Sequence, residues 1–502
     1  RQRAFDAAVR EARAREETDM ARKPQTALKK MPEAEAKVRP DAEEIAVRLA
    51  AFACRTRHDA IPEPVRRRAL HHMLDAAGIA VASTRYDFAH RMLTAVRGLG
   101  GAGSVPVLGM PAALSMRDAA MVNGFLCHGL DFDDTHMGGV VHPTASILPT
   151  VLSAAAHVGA SGKAMVTAYV IGVEVASRLG EVAQGGFHLV GFHPTGMIGV
   201  FGCTLAAGRL MGLNEKEMRN AQGIALSLAS GSLQFLENGA WNKRLHPGWA
   251  AQAGLTAAAM AREGFVGASE PYEGRFGVFN AYLGKEAGRA DYSFATADLG
   301  KVWELKQVAI KPYPACHMTH GCIDAALALA KQGVDWRRIT QIEATVPEGV
   351  FKVICEPEAP KLAPATAYDA QFSLQYLTAA AFVRNRFTLA ELEPETLTDP
   401  DVLALTRKVR YGAYVDSPYP KAYSGEVTVT LDDGRKLSHR EHINRGAADR
   451  PLSNDEIVEK FRGNVAMACD EELADRMAGA MLGLEGAPRG ADALKVFSPA
   501  CA

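Results

Sequence analysis

The chain lacks most of the features that announce a cofactor, a membrane or a nucleic-acid partner. Its eight cysteines, Cys54, Cys127, Cys203, Cys316, Cys322, Cys355, Cys469 and Cys501, are scattered over 502 residues without a CxxC pair. Such dispersal excludes the closely spaced thiolates of an iron–sulfur cluster and reads as buried cytosolic thiols, not a disulfide framework. Net charge is −1, so no long-range field draws nucleic acid or an anionic membrane, and any pull on an acidic substrate has to be local. Aromatics make up only 7% of the chain while alanine and glycine abound, which points to closely packed helices over a β-rich body. The weakly polar stretch from His142 to Gly162 contains Pro, Thr, Ser and His and fits a buried core helix better than a membrane span. Residues 1–40 are charged and lack the apolar stretch of a signal peptide, so the expected location is cytoplasmic.

Two familiar signatures fail on context. Gly98-Leu-Gly100-Gly-Ala-Gly103 matches GxGxxG, but a helical pattern precedes it and a Val-Pro-Val run follows, the reverse of a dinucleotide-binding turn. Asp133, His136 and His142, and His317 with His320, match neither HExxH nor a regular i, i+4 ligand pair, so no metal is expected. No solenoid repeat or low-complexity tract is present.

Helical periodicity dominates from Asp41, at about 41–57, 63–82, 113–130, 143–158, 161–180, 194–212, 214–230 and 247–263. Near residue 300 the pattern changes. Segments 301–310 and 339–346 alternate apolar and polar residues as strands do, and Asp433-Gly434 marks a hairpin within 424–438. Helical patterns at about 317–332 and 368–384 lie among these strands. Helices return at 453–465, where Ser453 and Glu456 form a capping box, and at 470–484. The expected organisation is a charged N-terminal extension (1–40), a helical domain (41–302), an α/β lid domain (303–447) and C-terminal helices rejoining the helical domain (448–502).

Three His-Pro dipeptides, His142-Pro143, His193-Pro194 and His246-Pro247, stand where Ala-rich helical patterns begin. Proline suits the first helical position, which puts each histidine at or near the N-cap. A helix start attracts anions and disfavours a charged imidazole, leaving a neutral ring able to accept a proton. Four short segments, 128–143, 186–196, 243–248 and 311–320, hold eight of the 15 histidines, mixed with Asp131, Asp133, Asp134, Lys243, Arg244 and Lys311. Asp131 and Asp134 share one face if the preceding helix runs that far, and Thr135 is placed to donate to a carboxylate. Lys243 and Arg244, on a presumed loop before His246, suit charge-assisted bonds to carboxylates or a solvated surface pair equally. Lys311 opens a Pro-rich turn where the body meets the insertion. Tyr376 lies on an apolar helix, where packing is the default role and a substrate-facing hydroxyl the second.

Together, HGLDFDDTH…HP, GFHPTG, QFLENGAWNKRLHPGWAAQAG, EGRFG at 273–277 and KPYPACHMTHGCIDAA resemble the MmgE/PrpD family, with the motifs in family order over about 42–465. The resemblance implies a mainly α fold with an α/β insertion: a large all-helical domain plus a smaller α+β lid, usually homodimeric, with no metal or organic cofactor. Carried over by motif, the active-site positions are Asp131, Thr135, His142, His193, Lys243 and Lys311, followed by His246, His320 and Tyr376. Two departures stand out. Cys316 occupies a position where decarboxylating members carry histidine, and Met137–Val141 with Thr144-Ala-Ser differs from typical methylcitrate dehydratases.

The expected function is a cofactor-independent lyase that removes a proton beside a carboxylate of a small di- or tricarboxylate. A 2-methylcitrate dehydratase-like hydro-lyase comes first, with cis-aconitate decarboxylase-like or iminodisuccinate epimerase-like chemistry as the alternative. A metal-dependent hydrolase and a non-catalytic carboxylate binder are the remote readings. His142 is the expected base, oriented by Asp131, with His193 as partner acid; the two roles are exchangeable.

Overall fold

The structure, a computed structural model, describes residues 44–237, 239–419 and 421–498. The expected N-terminal extension and Cys501 lie outside the described residues. Of the other cysteines, Cys54, Cys127, Cys203, Cys316, Cys322 and Cys355 are free thiols.

The body is mainly helical, and small residues set how closely its helices pack. Helix Pro194–Met211 lies against Gly162–Val182, Pro143–Val158 and Asn242–Arg262. A Cβ on Gly124 would sit 2.6 Å from the Cα of Gly248, so helix Met116–Cys127 can cross Asn242–Arg262 only with glycine at this point. A Cβ on Gly196 would lie 2.2 Å from the Ser230 carbonyl oxygen and 3.2 Å from the His246 Cβ. These two approaches bring His128, His193 and His246 together.

The helix starts follow the local signals in two cases of three. His142 and His193 are the N-caps of Pro143–Val158 and Pro194–Met211, each with proline in the first turn, and Gly159 and Gly212 end these helices at positive φ. The third helix begins earlier than His246-Pro247 predicts: it runs Asn242–Arg262, with Pro247 inside it. Lys243 and Arg244 thus belong to its first turn and not to a loop.

Eight short strands are present among the described residues. β1 (Val105–Pro106) pairs with β2 (Ala113–Leu114), and β3 (Thr135–His136) pairs antiparallel with β4 (Val308–Ala309). The main sheet has the order β6 (Val409–Ala413), β5 (Ile339–Val346), β7 (Gly425–Leu431), β8 (Lys436–Glu441). β5 runs parallel to β6 and antiparallel to β7, with Ala344 opposite Val427. Along β7, Val427, Val429 and Leu431 are buried while the residues between them are half-buried, and helix His320–Lys331 packs on β7 and β8. Gly434 at φ +81 makes the turn into β8.

Other expectations need correction. Segment 301–310 is not a strand: the Glu174 carboxylate accepts from the backbone N–H of Glu304 and of Leu305, both at 2.9 Å, holding Glu304–Gln307 as a 3-10 turn. Only Val308–Ala309 finds a strand partner. The helix expected over 368–384 is split into Ala367–Gln371 and Leu374–Arg384, where Ser373 caps the second piece through the Tyr376 N–H. β6 carries no period-2 burial and went unanticipated.

Helices Asn454–Val465 and Glu471–Leu482 pack on Glu63–Ser83. No helix among the described residues is long and apolar enough to cross a membrane. The fold is mainly helical with a small mixed sheet in its C-terminal region.

Candidate active site

The helix Met116–Cys127 stops before the aspartates, so Asp131 and Asp134 do not share a helical face. His128 is its C-cap, and Asp131 takes the left-handed conformation at φ +51, which re-aims its carboxylate. The three aspartates then do three different jobs. Asp134 accepts from the Thr144 N–H (3.2 Å) and hydroxyl (2.5 Å) and meets His72 Nδ1 at 2.7 Å, tying down the start of helix Pro143–Val158. Asp133 receives His128 Nδ1 on both oxygens, at 2.9 and 2.8 Å. Asp131 bridges two lysines: Lys243 Nζ at 2.7 Å and Lys311 Nζ at 2.9 Å.

That Lys–Asp–Lys bridge is almost dry. The side chains of Asp131, Lys311 and Lys243 are 5%, 2% and 12% exposed. Burial pushes the Asp131 carboxyl upward, yet Lys243 and Lys311 outweigh it and hold the group well below the usual carboxylate range. Burial works against the Lys311 ammonium as well, but Asp131 and Asp133 raise its proton affinity above that of an ordinary lysine. Lys311 also donates to the Asp131 carbonyl at 2.7 Å. Two cations share one carboxylate, which leaves a local surplus of positive charge. Arg244 is engaged elsewhere, donating to the Gly129 carbonyl at 2.6 Å with its guanidinium over Phe88.

Around this bridge stand four imidazoles. Ring centroids are 4.8 Å apart for His128–His142, 5.8 Å for His128–His193, 5.9 Å for His142–His193 and 5.2 Å for His193–His246. His142 Nδ1 lies 2.8 Å from the Asp134 carbonyl oxygen. A carbonyl only accepts, so Nδ1 carries the proton and Nε2 keeps its lone pair. Thr135 Oγ1 is 3.2 Å from the same Nδ1, so this hydroxyl attends His142. His193 Nδ1 meets His246 Nδ1 at 3.0 Å, a contact that requires one ring to donate and the other to accept.

Burial keeps these rings uncharged. It brings His142 down to about 3 and His246 down to about 4. His128 and His193 lie well below the ordinary histidine value, first through burial, then through Lys243 for His128 and His246 for His193. Burial also raises the Asp133 carboxyl to about 6.

The structure thus brings Asp131, Thr135, His142, His193, Lys243, His246 and Lys311 into one cluster. His320 donates from Nε2 to the Ala315 carbonyl at 3.1 Å and packs on His317 at 4.7 Å between ring centroids. Tyr376 stands apart: its buried hydroxyl donates to the Glu391 carbonyl at 2.6 Å, a packing role and not a substrate-facing one.

Sequence reasoning did not select His128 and Asp133 as site residues, although both lie in the quoted aspartate segment, and it missed Asp75 and Lys460 altogether. Lys460 donates to the Phe132 carbonyl at 2.9 Å and pairs with Asp75 at 2.7 Å, fastening the aspartate loop from a helix more than 300 residues away in the chain. No spacing rule finds such a partner. Among the described residues, three groups of side chains have ligand atoms close enough to share a cation: His128–His142–His193, His128–Asp131–Asp133 and His136–Glu181–Glu304.

The MmgE/PrpD N-terminal domain matches residues 47–290 and the MmgE/PrpD C-terminal domain matches 313–484. Cis-aconitate decarboxylase-like protein oryM of Aspergillus oryzae is 28% identical over 445 residues, covering 85% of this chain and 91% of its own. Cis-aconitate decarboxylase of Mus musculus is 28% identical over 428 residues, 82% of this chain and 85% of its own. The 2-methylcitrate dehydratase of Cupriavidus necator is 23% identical over 461 residues, 85% of this chain and 91% of its own.

Proposed function

This chain belongs to the MmgE/PrpD family, and from that premise we propose that it is a lyase acting on a tricarboxylate, with decarboxylation of a cis-aconitate-type acid ahead of dehydration. This reverses the order expected from sequence, which put a methylcitrate dehydratase first. Support for the reversal is the drop from 28% identity with the decarboxylases to 23% with the dehydratase. The observation that carries the reading is the Lys243–Asp131–Lys311 bridge set against four neutral imidazoles.

The chemistry follows from charge. Substrate carboxylates dock on the ammonium donors that Asp131 leaves unsatisfied. Breaking the C–C bond to one carboxylate releases CO₂ and leaves an electron pair that spreads into a neighbouring carboxylate as an enolate. Lys243 and Lys311 stabilise that charge, most strongly in a site without water. A proton delivered to carbon then completes the reaction, and His142 Nε2 or the His193–His246 pair carries it. In the free protein these rings are unprotonated; a bound polyanion raises their proton affinity, so the proton arrives with the substrate. In the dehydration variant of the same site, one neutral ring removes the C–H proton and its partner protonates the departing hydroxyl.

His142 is 9% exposed and Lys311 2%, so a tricarboxylate enters only after the segment carrying Lys311 moves away from Asp131. The lid and a homodimeric assembly belong to the same proposal.

The test is turnover of cis-aconitate and of 2-methylcitrate in D₂O, followed by NMR. The expected result is CO₂ release with an unsaturated dicarboxylate carrying one carbon-bound deuterium. Loss of water from 2-methylcitrate without CO₂ replaces decarboxylase with hydro-lyase, and deuterium exchange without net conversion replaces it with epimerase. Failure to act on any tricarboxylate overturns the reading.

A further inference from the structure

The four imidazoles have a feature that proton transfer alone does not require. His128 Nδ1 faces the Asp133 carboxylate, His142 Nδ1 faces the Asp134 carbonyl, and His193 Nδ1 faces His246 Nδ1. In each ring one nitrogen is fixed by a polar partner, and Nε2 is the nitrogen left open. One nitrogen from each of His128, His142 and His193 lies within 4.8 Å of the other two. His128 is 1% exposed, and its Nε2 has no hydrogen-bond partner among the described residues. A buried nitrogen without a partner costs free energy unless something satisfies it.

Histidine ligands to transition metals show the arrangement of His128 and His142, with the far nitrogen donating to a carboxylate or carbonyl that sets the ring's tautomer and basicity, and His193 matches it in the tautomer whose Nδ1 donates to His246. Three imidazoles with an open fourth position suit a four-coordinate divalent cation. We propose that His128, His142 and His193 form a binding site for a transition cation of the Zn²⁺ class, and that the cation inhibits by occupying the nitrogens that carry protons.

The charges allow it. The ammonium groups nearby each have a carboxylate partner, Lys243 and Lys311 at Asp131 and Lys460 at Asp75, and the Asp133 carboxylate stands directly behind His128. Pro143 and Pro194 hold His142 and His193 at rigid helix starts. The binding site stands on geometry alone; its inhibitory consequence rests on the proton-carrying roles proposed above.

Metal-depleted full-length protein is titrated with ZnCl₂ by calorimetry and with CoCl₂ by visible absorption. The expected result is one cation per chain, with the intense d–d bands of four-coordinate Co²⁺. Asp133→Asn is expected to weaken Zn²⁺ by about 10–100-fold, and His128→Asn by more. Circular dichroism and a thermal melt establish that each variant folds, and His193→Gln serves if His128→Asn does not. Unchanged affinity in the folded variants, or no stoichiometric uptake, overturns the site. Zn²⁺ that restores activity lost to a chelator overturns the inhibitory role. A chain that binds Zn²⁺ at these histidines yet turns over no tricarboxylate keeps the site and loses the proposed function.

Discussion

Asp131→Asn isolates the charge that holds the candidate site together. Asparagine is nearly isosteric and tolerates the left-handed backbone that residue 131 adopts at φ +51. The substitution therefore removes charge with little added strain, whereas Asp131→Ala adds about 1–2 kcal/mol for the backbone. Lys311, with a side chain 2% exposed, then faces Lys243 without its anion. Removing one partner of a buried ion pair costs about 3–5 kcal/mol, because the remaining charge stays desolvated.

The sign of the pH dependence follows from the depressed Asp131 value. Its contribution is complete above the unfolded carboxylate value of about 3.9 and disappears as pH falls toward the folded value, at about 1.4 kcal/mol per pH unit. The gap between wild type and Asp131→Asn is expected to be constant from neutral pH to about 4 and to shrink below that. Equilibrium urea unfolding across pH measures it, with contributions from the buried histidines common to both proteins. A gap under about 0.5 kcal/mol at neutral pH would refute the reasoning, since that is the size of an ordinary surface substitution. So would a gap that stays the same at acid pH.

His142→Ala is expected to lower kcat by about 100-fold or more while leaving the far-ultraviolet spectrum unchanged; activity near wild type in steady-state kinetics removes His142 from the proton path. His128, His142, His193 and His246 are neutral when folded, with His142 at about 3 and His246 at about 4, so the unfolded chain binds more protons below about pH 6.5. Stability is therefore expected to fall on acidification by about 1.4 kcal/mol per pH unit per ring, and a flat curve between neutral pH and 5, at about 1 unit resolution, contradicts it. Tyr376→Phe is expected to cost about 1 kcal/mol through the lost bond to the Glu391 carbonyl and to leave kcat/KM unchanged. Lys460→Met is expected to destabilise by about 3 kcal/mol, since Asp75 is left buried and unpaired, and a double cycle with Asp75→Asn recovers most of that loss.

Several features of this fold and site are legible without coordinates because their causes are local. Proline after histidine places His142 and His193 at helix starts, and Gly159 and Gly212 close those helices. Ser453 with Glu456 caps its own helix within four residues. Asp433-Gly434 turns β7 into β8 for the same reason. Where a distant group competes, the local pattern misleads. Glu174 bends 304–307 out of the strand that its alternation suggests, and the expected helical face shared by Asp131 and Asp134 is lost because the helix ends at Cys127.

What the sequence determined by itself was the set of chemical parts: imidazoles at two helix starts, lysines beside them, and three aspartates within four residues. Only the tertiary structure decided their division of labour, with Asp131 between two lysines, Asp133 behind His128 and Asp134 holding a helix start. It alone placed Lys460 against Phe132 and turned Tyr376 toward Glu391. Helix starts, turns and caps depend on neighbours a few residues away, whereas ion pairing and ring tautomers depend on which groups meet when the helices close on one another.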